Sequence, residues 1–187
     1  MIATELIVLA FAIFTAHNNA AGAESASAPA APVHVSNSFD FLVHAPLSSA
    51  APLFGPEGER GWAGPDWNPQ FLYPQPGKDI EGAVFTVQQG HHQSIWTATV
   101  FDVAGGRMQY VSVVPGIRLS TVDVRLTAIG PATTSVQVRY VRTALDPSAN
   151  GEVQALGESD RQEGPNWQAA IEAYLEAQLK DQRSRTR

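Results

Sequence analysis

The side chains with chemical capacity are scattered through the middle and last third of the chain, and few stand in a recognisable pattern. His91 and His92 follow Gly90 between two strand-like runs, and paired histidines can ligate a metal or exchange protons. Adjacent residues of an extended segment point to opposite sides, so the two do not chelate one ion. No cysteine or regularly spaced third ligand accompanies them. They read as a solvated hairpin loop, and neither a metal nor a cofactor is expected. Arg142 is more informative. In the run from Thr133 to Ala144, Val136, Val138, Tyr140 and Arg142 share one face, while Gln137, Arg139 and Val141 share the other. If the valines face a core, Arg142 is carried inward and needs a partner. That partner is a carboxylate such as Asp123 or Glu152, or an anionic group on a ligand. An internal ion pair is the first expectation, because buried charges are usually paired within the protein. Arg118 and Ser112 are lesser candidates of the same kind.

Trp62, Trp67, Phe71, Phe85, Trp96 and Tyr110 form a second constellation. Aromatic rings bring large apolar area, and the N–H of Trp or the O–H of Tyr can orient a bound molecule. Each ring taken alone is as well explained by core filling; the set as a whole points to a pocket lining. With Ser112, Tyr140 and Arg142 these residues make up the expected ligand-binding site. Catalysis has no linear signature here, since H-E-x-x-H, G-x-S-x-G and G-x-x-x-x-G-K are all absent. A cyclisation needs little more than a confined reactive chain beside one acid or base, for which Tyr110, Arg142 and His91 are available. The sequence assigns a catalytic role to no residue.

These residues must be positioned by the elements around them. Phe39, Phe41 and Val43 alternate with Asp40, Leu42 and His44, the period of a half-buried strand, which Pro46 stops. Leu47 to Phe54 suits a short helix limited by Pro52, and the Gly/Pro-rich stretch from Gly55 to Pro69 reads as turns whose aromatics lie along the domain. Strand-like runs follow at 83–88, 94–101, 107–114, 117–129 and 133–144. Asp102 to Gly106, Pro115-Gly116 and Gly130-Pro131 punctuate them. Such short links favour an antiparallel meander. Trp167, Ile171, Tyr174, Leu175 and Leu179 then fall at helical spacing, with Gly164-Pro165 expected to interrupt or kink any longer helix. The class is α+β, with the terminal helix covering one face of the sheet.

The 187 residues fit one folded domain, expected over 35–180. Hydrophobic residues make up 44% and charged residues 16%, which excludes a disordered chain. A net charge of −6 argues against nucleic acid as a partner, and the basic residues gathered at 181–187 read as a solubilising tail. The apolar run from Leu6 to Phe14, followed by Ala21-Gly22-Ala23, predicts a signal peptide over 1–23 and export, although Glu5 stands where a basic residue is usual. That run is far short of the ~20 residues that cross a bilayer, so no stable membrane anchor is expected after cleavage. Residues 24–34 read as a flexible linker of Ala, Ser and Pro.

Several segments carry a resemblance. They are Ala45-Pro46, Pro52 through Arg60, Trp67-Asn68-Pro69 with Phe71-Leu72-Tyr73-Pro74, Glu81 through Phe85, Trp96 with Phe101-Asp102, Gly106 through Val111, and Pro115-Gly116. In that order, from Phe39 to Leu175, the chain resembles the START-like, or SRPBCC, superfamily and its polyketide cyclase/dehydrase and lipid-transfer members. The resemblance implies a helix-grip fold, a curved antiparallel sheet wrapped around a long C-terminal helix. It also implies a small hydrophobic molecule, such as a lipid or a polyketide-like compound, held between the two. Carriage of that molecule is the first expectation; a cyclase/dehydrase reaction in the same cavity, or a filled structural domain, are the others.

Overall fold

The computed structural model describes residues 30–186, so the expected leader and the first part of the linker lie outside the described residues. Strand β1 (His34–Val43) buries Asn37, Phe39, Phe41 and Val43 and exposes the residues between them. After Pro46 come a single helical turn, α1 (Leu47–Ala50), a 3-10 turn (Ala51–Phe54) and a second short turn, α2 (Pro56–Glu59). Pro52 and Pro56 both stand at the starts of these turns, where a fixed φ is an advantage and a missing N–H costs nothing. A strand absent from the sequence reading, β2 (Gln70–Tyr73), then pairs with β3 at the sheet edge. It is four residues long and flanked by Pro69 and Pro74, which confine it to an edge and hide its alternation.

The remaining strands are β3 (Val84–Gln89), β4 (His92–Asp102), β5 (Arg107–Val114), β6 (Arg118–Gly130) and β7 (Thr133–Ala144). With β1 they form one curved antiparallel sheet in the order β1-β7-β6-β5-β4-β3-β2. The meander follows from the short turns, and β1 closes it by pairing with β7, with Phe39 opposite Val138. A bulge at Thr99, between the Ala98–Tyr110 and Val100–Gln109 pairs, adds local twist near the middle of the sheet. The register aligns two rows on the inner face. One runs Trp96, Ser112, Ser120, Arg142; the next runs Ala98, Tyr110, Val122, Tyr140.

After β7, Asp146 accepts the Ser148 N–H at 2.8 Å and opens a 3-10 turn leading into α3 (Asn150–Asp160), then α4 (Glu163–Arg185). The break between the helices falls at Arg161 and Gln162, so Gly164-Pro165 does not kink the last helix. Pro165 lies in its first turn, where no intrahelical N–H bond is forfeited. Trp167, Ile171, Tyr174 and Leu175 pack on the core, but Leu179 is 53% exposed, so the apolar stripe ends a turn earlier than its spacing predicts. The helix runs on through Arg185 with Glu176–Lys180 and Asp181–Arg185 pairs one turn apart, and 181–185 is therefore helix where a separate tail was expected.

Helices α3 and α4 dock chiefly on β1 and β7, at one side of the sheet. The fastening is aromatic. Trp167 meets Trp62 at 5.1 Å, Phe39 at 5.3 Å, and Phe41 and Phe54 at 6.5 Å between ring centroids. One turn on, Ile171 is completely buried. Ile171→Ala is expected to cost about 2–5 kcal/mol through lost burial and the cavity it leaves, read as a lower denaturant midpoint with an unchanged slope.

Candidate functional site

Because the helices lie over β1 and β7, the inner face of β4 to β6 is left partly uncovered, and a cavity of about 400 Å³ opens there. Pockets of about 300–1,000 Å³ hold a single small organic molecule. Eight of the nine expected binding residues line it: Trp62, Trp67, Phe85, Trp96, Tyr110, Ser112, Tyr140 and Arg142. Phe71 does not. It packs behind Phe85, 5.6 Å between centroids, with Gly77 against its ring, and so supports the wall from outside. Trp167 from α4 adds a further ring that the pocket reading of the sequence did not include.

The aromatic wall is rigid because its rings brace one another. Trp96 stacks on Phe85 at 6.0 Å with 11° between planes, and Trp67 meets Trp96 edge-on at 5.7 Å. Their polar atoms are already committed to the protein. Trp62 Nε1 donates to Leu53 O at 2.7 Å, Trp67 Nε1 to Pro56 O at 3.0 Å, Trp96 Nε1 to Ser94 Oγ at 2.8 Å, and Tyr110 Oη to Phe54 O at 2.8 Å. The Trp62 and Trp67 bonds fasten segment 53–67 onto itself, Tyr110 ties that segment to the sheet, and Trp96 bonds within β4, so what these four groups offer the cavity is chiefly ring surface.

The two inward guanidinium groups are committed as well. Arg142 Nη2 and Nε grip Asp160 at 2.6 and 2.8 Å, Nη1 reaches Ser120 Oγ at 3.3 Å, and the guanidinium lies 4.3 Å from the Tyr140 ring centroid. Its partner is neither Asp123 nor Glu152. Asp123 has the opposite parity on β6 and faces outward, where it accepts from Arg125 and Gln109. Glu152 is paired with Arg118. Asp160 comes from the end of α3, and no spacing in the sequence ties it to β7. His91 and His92 stand exposed at the β3–β4 hairpin. No group of three or more potential ligands capable of holding a metal occurs among the described residues.

One side chain went unnoticed in the sequence. Glu59, in α2, lines the cavity, is half-buried, and receives no hydrogen bond among the described residues. Burial, reinforced by the neighbouring Asp79 carboxylate, pushes its pKa well above the usual carboxylate range. Asp79 holds α2 in place by accepting the Glu57 and Gly58 N–H groups at 2.9 and 3.2 Å, while its own burial raises its pKa. Gly55, Gly58 and Gly61 permit this fit, since a Cβ at each would collide with Asp79, the Pro52 carbonyl and the Tyr174 ring. A carboxyl inside a Gly/Pro-rich stretch has no period to betray it. The only hint is that it lies between the buried rings of Phe54 and Trp62.

No protein-family profile and no curated protein matches the chain, whereas many solved structures share its fold. Norcoclaurine synthase from Thalictrum flavum, solved with dopamine and hydroxybenzaldehyde, is 10% identical with a TM-score of 0.56, over 96% of this chain and 98% of its own. An uncharacterized protein from Rhizobium leguminosarum is 15% identical with a TM-score of 0.56, over 79% of this chain and 97% of its own. The di-domain ARO/CYC protein BexL, from the BE-7585A biosynthetic pathway, is 14% identical with a TM-score of 0.55, over 76% of this chain and 46% of its own. At these identities the likeness establishes the helix-grip fold alone.

Two outcomes follow for stability. Asp160→Ala strands a guanidinium that is largely buried, 11% exposed in the pair, and is expected to cost about 3–5 kcal/mol by denaturant unfolding. Glu59 binds its proton more tightly folded than unfolded, so it takes stability away as pH rises from the unfolded-state value toward the folded one. Glu59→Gln is therefore expected to melt with the wild type in buffer more acidic than the ordinary carboxylate range, and increasingly above it as pH rises toward neutrality.

Proposed function

We propose that the protein binds a small, mostly apolar ring compound in the cavity between the sheet and helices α3 and α4. The observation that carries this reading is the cavity itself, about 400 Å³ and walled by braced aromatic rings, of which Trp62, Trp67, Trp96 and Tyr110 have their polar atoms satisfied within the protein. A core intended only to be filled gains nothing from such a void, because each missing contact weakens it. Flat, pre-ordered rings favour a ring ligand over a flexible chain, since stacking adds to area burial and no side chain has to be frozen on binding.

Structural neighbours support a ligand-holding use of this fold, norcoclaurine synthase having been solved with two small aromatic molecules. In the wider reading the protein is exported and carries its ligand outside the cytoplasm, on the strength of the apolar run and the Ala21-Gly22-Ala23 site. A filled structural domain is disfavoured by the void.

The test is a fluorescence titration with N-phenylnaphthylamine, a neutral probe with three aromatic rings. Wild-type protein is expected to bind it saturably. Trp96→Ala, which removes the stacked wall, and Ser112→Leu, which fills the space, are each expected to weaken binding about tenfold or more. Equal affinity in all three proteins places the probe elsewhere and removes the basis of the proposal.

A further inference from the structure

Five polar groups line the cavity without a hydrogen bond among the described residues: the carboxyl of Glu59, the hydroxyls of Ser112 and Tyr140, the Asn166 amide and the Trp167 indole N–H. Every other ionisable group on the wall has a partner. Arg142 is held by Asp160, Arg118 by Glu152, Glu163 accepts from Ser159, and Tyr110 donates to Phe54 O. Glu59 also lies close enough to Tyr110 and Tyr140 for its charge to oppose ionisation of both phenols. Burial keeps the Tyr140 phenol protonated far into alkaline pH, so its O–H remains a donor, and the Arg142 guanidinium beside its ring favours negative charge there.

An unpartnered acid in a half-buried site costs stability, and the structure holds this one in place with Asp79 and three close-packed glycines. We propose that Glu59 is a catalytic acid–base group that moves a proton on and off a carbon next to a carbonyl in the bound ring compound, with Tyr140 as the donor to the carbonyl oxygen. This rests on the cavity reading above and adds an activity to it. In the step, a carboxylate oxygen of Glu59 takes the α-proton and the C–H electron pair becomes the new C=C bond. The carbonyl π pair moves onto oxygen, which accepts the Tyr140 O–H. The Glu59 acid then returns its proton to the same carbon or to a conjugated one. Proton exchange or double-bond migration results, and no oxidant, reductant or co-reactant is consumed. A carboxyl raised by burial and by Asp79 suits this work, because both its protonation states are then populated closer to neutral pH.

The test uses the full chain in deuterium oxide with β-tetralone, an apolar two-ring ketone with acidic α-protons, following loss of the α-proton signal by NMR and binding by quenching of tryptophan emission. Wild type is expected to bind the ketone and to exchange it above the buffer rate. The rate should rise with pH through a midpoint above the ordinary carboxylate range, set by burial and by Asp79, with Tyr110, Arg118, Tyr140, Arg142 and Glu163 the other charged or titratable groups facing the cavity. Glu59→Gln is expected to lower exchange about 100-fold while the ketone still quenches, and Tyr140→Phe about tenfold. Binding by wild type without exchange, or exchange that survives in Glu59→Gln, overturns the proposal and leaves the cavity reading standing. Failure of wild type to bind the ketone or the naphthylamine probe defeats both.

Discussion

The contact between Trp167 and the rings of Phe39, Phe41, Phe54 and Trp62 determines the rest of the architecture. It draws together the last helix, the first strand and the turn segment that follows that strand. A large ring can be buried in only a few geometries, so this cluster sets where α4 lies as well as that it lies on the sheet. The helix is thereby fastened over β1, with α3 over β1 and β7, and the opposite half of the inner face is left with aromatic walls and no lid of comparable bulk. The cavity is thus a consequence of where the strongest apolar contacts fall.

Polar chemistry in such an enclosure is governed by satisfaction. Guanidinium groups facing a low-dielectric space must be neutralised by the protein, and both inward arginines are. A carboxyl has a second recourse, which is to hold its proton. That is why Glu59 can stand in the cavity without a partner, whereas Arg142 requires Asp160. The indole groups of Trp62, Trp67 and Trp96 and the Tyr110 phenol are bonded to backbone carbonyls of the 53–56 segment and to Ser94, so this part of the wall is stiff and presents ring surface. Binding of an apolar molecule and chemistry by one acid are therefore compatible in a single site, since the groups that shape the pocket are not the groups that would react.

Much of this was legible in residue order. Alternation in β1 and in β3 to β7 marks strands, the short turns between them require antiparallel pairing, and eight of nine expected pocket residues do reach the cavity. The misreadings have separate physical causes. Phe71 has the right chemistry but lies one layer back, because β2 is an edge strand too short to show its phase. Asp123 could have been set aside once the pairing was known, since its parity on β6 points it away from Arg142. Pro165 looked like a break in a helix and is instead near the start of one, a distinction that depends on where the preceding helix ends. Leu179 keeps the helical spacing after the sheet beneath it has run out.

By itself, then, the order of residues determined which segments are strands, that the sheet is antiparallel, and which faces are apolar, because these follow from the period of side chains along a backbone. What only the tertiary structure decided is how distant segments meet: that Asp160 closes on Arg142, that Trp62 and Trp67 donate their N–H groups to nearby carbonyls, and that Glu59 lines the cavity half-buried and without a partner. Those facts depend on the solvation and neighbours of single atoms. Such neighbours are set by packing between parts of the chain far apart in sequence, which leaves no periodic trace.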